Sequence, residues 1–464
     1  MDSSLARSVT ATDVETAPAR QHAYPAQDPE KQVVRTATRG SNASVVTRRV
    51  LSRFRTADSI PLTPPPDGGV QAWLMAFMAC LVNFNTWGYA NTFGVFQTYY
   101  VNVMDIGEPS AVSWIGSLHV FLVFAIGTFS GRATDAGYFH LTFWTGSAIY
   151  CIGLLALSFC NTYWQVLVCH SLVIGLGAGL AFVPSLAIAA SYFSHAKRSM
   201  ALALVVCGSS AGGLVFPAVA EQMLPKNGFG WTIRTIFFIQ TALAIIAGLL
   251  FKPRIPPRQS GPLVEWVALK EAPYTLYLAG SFFAFVGLYI GFYYIGSFAR
   301  DVLGADQSTS IQLLLTMNGV GLVARVLPNF IAEKFSGPLN LIIPYTIATG
   351  IVMFSWIAVH EISSLWAWAV VQGVANAGIQ ALFPVVLTSL TDDPKKMGVR
   401  SGMGFTVVGF AVLIGPPIAG ALVERMDGSY LGLQIFGGLT MALAVCCQIA
   451  ARWATVGTDL KAKL

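Results

Sequence analysis

The sequence predicts an all-α membrane protein of twelve transmembrane helices in two six-helix halves, and three observations predict it. Only 11% of the 464 residues are charged while 55% are hydrophobic, too few charges to cover a soluble surface. Twelve apolar stretches follow one another between polar turns, most of them charged, each long enough, at about twenty residues, to cross the hydrocarbon core. The layout of the first six recurs in the last six at a shift of roughly two hundred residues.

The segment 1–66 is rich in Ser, Thr, Ala, Pro and Arg and shows no apolar periodicity. It cannot bury enough surface to offset chain entropy, so a disordered tail is expected. Its basic cluster Arg48, Arg49, Arg53 and Arg55 places the tail in the cytosol, as a solvated run or as a contact for anionic membrane lipid. The sequon Asn42-Ala43-Ser44 would matter only if that tail faced the lumen. No secretory signal opens the chain, so the first span is expected to direct insertion. The seven cysteines all lie in apolar runs without a CxxC spacing and read as small packing residues, not as a disulfide framework or a zinc site.

From Asp67 onward the spans read as 70–93, 111–130, 140–160, 163–190, 199–220, 234–251, 273–298, 308–331, 339–359, 363–390, 400–423 and 431–453. With the tail in the cytosol, the inside turns carry Arg132, Lys197, Arg198, Lys252, Arg254, Arg258, Lys270, Lys334, Lys395, Lys396 and Arg400. The outside turns carry Lys226, Arg234, Arg300 and Arg425. That asymmetry places both termini in the cytosol. The domains are therefore an N-terminal half 67–252, a cytosolic linker 253–272, a C-terminal half 273–455 and a short cytosolic tail 456–464. The membrane itself is expected to be the plasma membrane, with the vacuole or another internal membrane as the alternative.

The repeat is visible residue by residue. The stretch GLGAGLAFVPSLAIAASYFSHAKRS from Gly175 matches in layout NAGIQALFPVVLTSLTDDPKKMGVRS from Asn376, with Pro184 opposite Pro384 and Lys197-Arg198 opposite Lys395-Lys396. Pro217 falls opposite Pro416 and Pro417, and Asp135 opposite Glu333. Parallel halves of this kind place a substrate site between them near the bilayer midplane.

This layout, with the turn Gly131-x-x-x-Asp135-x-Gly137 between spans two and three, resembles the major facilitator superfamily. The opening Asp67-Gly68-Gly69-x-x-Ala72-Trp73 is similar to the signature of the monocarboxylate transporter family. Within it the chain looks most like the fungal branch, which includes a riboflavin carrier and exporters associated with secondary-metabolite pathways. The resemblance covers about 67–455. It implies the major facilitator fold and transport of a small organic solute by alternating access, with no cofactor.

The Asp67 carboxylate is expected to cap free amides at the start of the first helix and to meet the positive end of its dipole. Gly68 and Gly69 allow close backbone approach, and Trp73 suits the interfacial zone. Asp67, Gly131, Asp135, Gly137 and Arg400 are read as a cytosolic gate, with Asp135 reaching the N-terminal end of span eleven near Arg400; plain helix anchors and a solvated turn are the alternative.

Substrate contacts are sought among polar residues within spans. Gln372, Asn376 and Gln380 recur every four residues along span ten and form one stripe, drifting about 40° per step. Asn83, Asn85 and Asn91 in span one, and Tyr289 and Tyr293 on one face of span seven, are further candidates. Helix–helix hydrogen bonds are the plainer role for the amides. His119 and His170 read as packed side chains. Arg325 stands well inside span eight with Asn318 and Gly321 on its face, and an intramembrane arginine is a functional residue by default.

In the monocarboxylate family an arginine of the eighth helix acts on the substrate anion, and Arg325 matches it. Asn91 and Gly321 stand where proton-coupled lactate carriers have a lysine and an aspartate, which argues against both proton coupling and a lactate-sized substrate. A larger, partly aromatic organic acid fits the amides and tyrosines better. Export of a secondary metabolite and uptake of a carboxylate or riboflavin are the two versions of this function. HExxH and paired intramembrane carboxylates are absent from the sequence and its six histidines are scattered, which argues against an enzyme. A channel or structural membrane protein is less consistent with the repeat. The expected partners are the small-molecule substrate and membrane lipid, with any accessory membrane protein unspecified and nucleic acid not expected.

Overall fold

The computed structural model describes residues 65–254, 264–391 and 397–457. The tail as far as residue 64, residues 255–263 of the linker, the Lys395-Lys396 turn and residues 458–464 lie outside them. The described chain runs as α1 (Gly69–Asn91), α2 (Phe93–Asn102), α3 (Pro109–Asp135), α4 (Phe139–Leu157), α5 (Tyr163–Ser191) and α6 (His195–Leu250). The second half comprises α7 (Ala272–Asp301), α8 (Gln307–Ser336), α9 (Pro338–Ser355), α10 (Ile362–Ser389), α11 (Met397–Arg425) and α12 (Leu431–Val456).

Ten helices among the described residues are long and apolar enough to cross a membrane. Two further crossings complete the predicted twelve. One is α1, with 23 residues, whose polar Asn83, Asn85 and Thr86 dilute its hydropathy. The other comes from α6, which holds two spans. Gly228 breaks its helix at φ 71°, a left-handed conformation that glycine adopts at little cost. Asn83 of α1 meets Val205 before the break, and Asn85 meets Gln240 after it. Those two α6 residues would lie about 50 Å apart on a straight helix, so α6 folds back on itself.

Helix starts follow local chemistry. Pro109 opens α3, Pro338 opens α9 and Pro273 stands in the first turn of α7, where a missing amide hydrogen costs nothing. The Asp306 carboxylate caps α8 through the Thr309 amide at 2.9 Å, and Glu361 with Ser364 forms a capping box on α10. Two boundaries differ from the sequence reading. The first span runs on through α2 to Asn102 after a bend at Thr92, whose hydroxyl donates back to Gly88 O at 2.9 Å and competes with the regular ladder. The turn expected over 221–233 is mostly helical, because the reversal is confined to Gly228.

Between helices, small residues set the distance. A Cβ on Gly88 of α1 would lie 2.5 Å from Gly212 Cα of α6, and one on Gly212 would lie 2.3 Å from Phe84 O. Two backbones approach this closely only where neither carries a side chain. Contacts between the halves run along α3 with α11 and along α6 with α8. At the linker end Thr128 of α3 donates to Gly402 O of α11 at 2.8 Å. At the opposite end the Ser110 amide donates to Glu424 at 3.0 Å, and the Ser308 hydroxyl to Glu221 at 2.6 Å. The halves thus touch at both ends.

Candidate functional site

Arg325 is placed by a proline. Pro328 has no amide hydrogen for the carbonyl of Ala324, and α8 interrupts its regular hydrogen bonding there, with Arg325 as the joint. The side chain is 2% exposed. Its guanidinium donates to the hydroxyls of Ser209, at 2.6 Å, and Ser210 on α6, and through its other terminal nitrogen to Gln380 Oε1 on α10. Nε has no partner among the described residues. Arg325 therefore ties the C-terminal half to the N-terminal half through the two serine hydroxyls and is bonded within its own half to Gln380, all three acceptors being neutral. None of the ion pairs found among the described residues involves it. Gly208 to Gly213 makes this possible, since a Cβ on Gly213 would come within 2.7 Å of Asn318 Oδ1 on α8.

The other candidates divide. Gln380 joins Arg325, while Gln372 and Asn376 are fully buried within the C-terminal half, bonded to one another at 3.3 Å, with Gln372 also on Met353 Sδ at 3.4 Å. Asn318 donates to Leu314 O in its own helix and leaves Oδ1 without a partner among the described residues. Asn91 reaches Ser209 O at 3.5 Å, next to the arginine, whereas Asn83 donates to Val205 O at 2.7 Å inside the N-terminal half. Tyr289 and Tyr293 are both buried, their rings 6.3 Å apart, and Tyr293 packs on Phe93 of the other half at 5.2 Å. His119 Nδ1 donates to His170 O, and His170 meets the Tyr100 hydroxyl, each at 3.0 Å. Ser209 and Ser210 were not singled out by the sequence reading. Their signal is a pair of hydroxyls in the glycine-rich run GSSAGG, which marks close approach to a neighbouring backbone.

The linker end carries the charged groups read as a gate. Asp67 does not cap its own helix. Asp67, Gly68 and Gly69 all have positive φ, at 54°, 150° and 81°, and this turn swings the carboxylate away from α1. It accepts instead from the amide of Ser194, the residue that opens α6, while Lys197 Nζ donates to the Asp67 carbonyl at 3.0 Å. Hydrogen bonds from Ser194 hold the Asp67 carboxyl below its ordinary value of 3.8. Arg400 forms a bidentate pair with Glu271, at 2.6 and 2.7 Å, and donates through Nε to Glu265 at 3.0 Å. Both acids were missed, because they sit in the linker, far from Arg400 in sequence. Gly137 turns the chain at φ 90°, and Gly131 packs on Val183, which a Cβ would meet at 3.2 Å. The side chain of Asp135 lies outside the described residues, as does that of Glu333.

Comparison with known proteins agrees with this architecture. Residues 72–368 match the sequence pattern of the Major Facilitator Superfamily. An MFS-type transporter of Gibberella zeae is 39% identical over 92% of this chain and 98% of its own length. The MFS-type transporter dbaD of Emericella nidulans is 36% identical over 82% of this chain and 85% of its own length. A third relative, the aspyridones efflux protein apdF of the same organism, is 33% identical over 82% and 77% respectively.

Proposed function

The chain belongs to the Major Facilitator Superfamily, and from that premise we propose that it exports a small organic anion by alternating access, with Arg325 as the anion's contact. The protein is a multi-pass membrane transporter of small organic solutes. The single observation that carries the anion reading is a guanidinium 2% exposed and held, among the described residues, only by neutral oxygens of Ser209, Ser210 and Gln380. A buried cation without a counter-charge is costly, and a carboxylate or phenolate matches its planar fork of donors. Arg325 bonds both halves, so an anion that took over these donors would loosen the contact between α6 and α8.

Asn91, Gln380 and Asn318 stand around this group and complete the proposed site. Gln372, Asn376, Tyr289 and Tyr293 come next along α10 and α7, and Asn83 is assigned to the site only on its sequence position. The Asp67 end is taken as cytosolic, with Gly131, Asp135, Gly137 and Arg400 at the gate. A place in the monocarboxylate porter family belongs to the same reading, through Asp67-Gly68-Gly69 and Arg325. Export is preferred over uptake because one relative is named for aspyridone efflux.

The test compares Arg325→Lys and Arg325→Gln for surface abundance and for the concentration dependence of flux. Losing a charged hydrogen bond should raise the half-saturating concentration roughly ten- to a hundredfold in Arg325→Gln. Lys keeps the charge and loses the fork, so it should recover only part. Reduced abundance with unaltered affinity overturns the binding role. Metabolite profiling of cells and medium with and without the gene gives direction: a product trapped in cells supports export, a nutrient left in the medium supports uptake.

A further inference from the structure

The surface between the halves is aromatic where an aliphatic one would suffice. Trp87 of α1 packs on Phe124 of α3 at 4.8 Å and on Phe182 of α5 at 5.5 Å. Phe124 crosses to the other half, stacking on Phe405 of α11 at 5.4 Å and meeting Phe285 of α7 at 6.5 Å. Phe383 of α10 closes the ring, 5.1 Å from Phe285 and 5.4 Å from Phe405. Six rings from six helices thus form one cage, three from each half.

Two of the cage residues stand one helical turn from neighbours of Arg325. Phe383 follows Gln380, an Arg325 acceptor, by one turn of α10. Trp87 precedes Asn91 by one turn of α1, and Asn91 touches the carbonyl of Ser209, whose hydroxyl is another acceptor. Alternating access must part Phe124 from Phe405 and Phe285 in every cycle. Ring contacts add attraction beyond the area they bury, so a cage of this kind opposes opening unless something flat replaces the lost partner. A second observation points to a ligand: the Trp87 indole Nε1 is buried and has no acceptor among the described residues. A buried N–H of this kind is costly unless an oxygen reaches it.

We propose that this cage is the subsite for the planar conjugated body of the substrate, an aromatic or enolic acid. Once the halves part, its ring takes the place between Phe124 and Phe405 that their direct stacking fills in this structure, its acidic oxygen points to Arg325, and a carbonyl oxygen accepts from Trp87. The inference rests on the organic-anion reading above and adds the π-system and the second oxygen to it.

Binding to the purified full-length chain in detergent tests it, with two acids of one carbon skeleton and one charge: 2-naphthoate and its saturated counterpart, decahydro-2-naphthoate. Ligand-induced thermal stabilisation reads the half-saturating concentration of each. The aromatic acid should half-saturate at about tenfold lower concentration, as expected for two or three ring contacts, and Phe405→Leu or Phe124→Leu should shrink that ratio. A ratio near one in the parent protein, or no stabilisation by 2-naphthoate up to its solubility limit, overturns the proposal. Arg325→Gln separates the two readings. Equal weakening of both acids with a ratio near one leaves the anion site standing and removes the aromatic subsite. Unchanged binding of both acids with the ratio preserved does the reverse.

Discussion

Each half of the molecule is fastened at the linker end by a carboxylate that precedes its first helix and a group that opens its fifth span, yet the two fastenings differ. In the N-terminal half Asp67 accepts from the Ser194 backbone amide, with Lys197 on the Asp67 carbonyl. In the C-terminal half Glu271 grips the Arg400 guanidinium through two oxygens, Glu265 adds a third contact, and the Tyr274 hydroxyl donates to Arg400 O at 2.7 Å. A carboxylate on a backbone amide is satisfied by the fold of one turn and survives a change of neighbouring side chains. An arginine buried between two acids depends on all three groups being present. The repeat therefore preserves the place of the fastening and not its chemistry, and the C-terminal version is the more fragile to substitution.

The largest effect should come from Arg400→Ala. It takes the guanidinium away from Glu265, the one buried acidic side chain among the described residues, and from Glu271 beside it. Removing one partner of a buried pair costs about 3–5 kcal/mol, and the side-chain exposure of Glu271, 41%, puts the expected loss at the lower end of that range. Thermal melting in detergent and folding yield measure it; a melting point equal to the parent's would show that the clasp carries no stability. Glu265→Gln should cost less, about 1–3 kcal/mol, since an amide still accepts from Nε but the charge is gone.

Asp67→Asn should be milder still, because the amide oxygen still accepts from Ser194 and the site is open to solvent. Its signature is a pH dependence. The Asp67 carboxyl is held below its ordinary value of 3.8, so its stabilisation is complete above that pH and is lost as pH falls through the lower folded value. Acid melting curves of Asp67→Asn should lack this part of the parent's acid limb. Coincident curves for parent and variant would remove Asp67 from the acid response. The smallest effect is expected for Lys197→Met, which removes an exposed donor to a carbonyl; a shift as large as that of Asp67→Asn would mean that the lysine, and not the Ser194 amide, holds this turn.

Much of the fold could be read along the chain. A span is a one-dimensional requirement, about twenty apolar residues between charges, so the number of crossings follows from composition and the repeat from matching prolines such as Pro184 and Pro384. The bend at Thr92 and the reversal confined to Gly228 were not legible. Each depends on how a hydroxyl or a glycine is used within an otherwise uniform helical pattern. At the site, Arg325 was visible because a lone cation in an apolar stretch has no ordinary explanation. Ser209 and Ser210 were not, because serines within a glycine-rich helix are as often simple packing residues.

The sequence by itself determined a membrane chain of twelve helices in two matching halves, with a buried cation in the eighth. Tertiary structure alone decided what the charged and aromatic groups meet. Asp67 finds Ser194, 127 residues away, in place of its own helix; Arg400 finds acids 129 and 135 residues away; Arg325 finds its hydroxyls 115 and 116 residues away. The cage between the halves likewise draws its rings from six helices. Partition into the membrane acts on each segment separately and is written locally. Pairing acts between side chains that only the packed bundle brings within hydrogen-bond reach, so no local pattern records it.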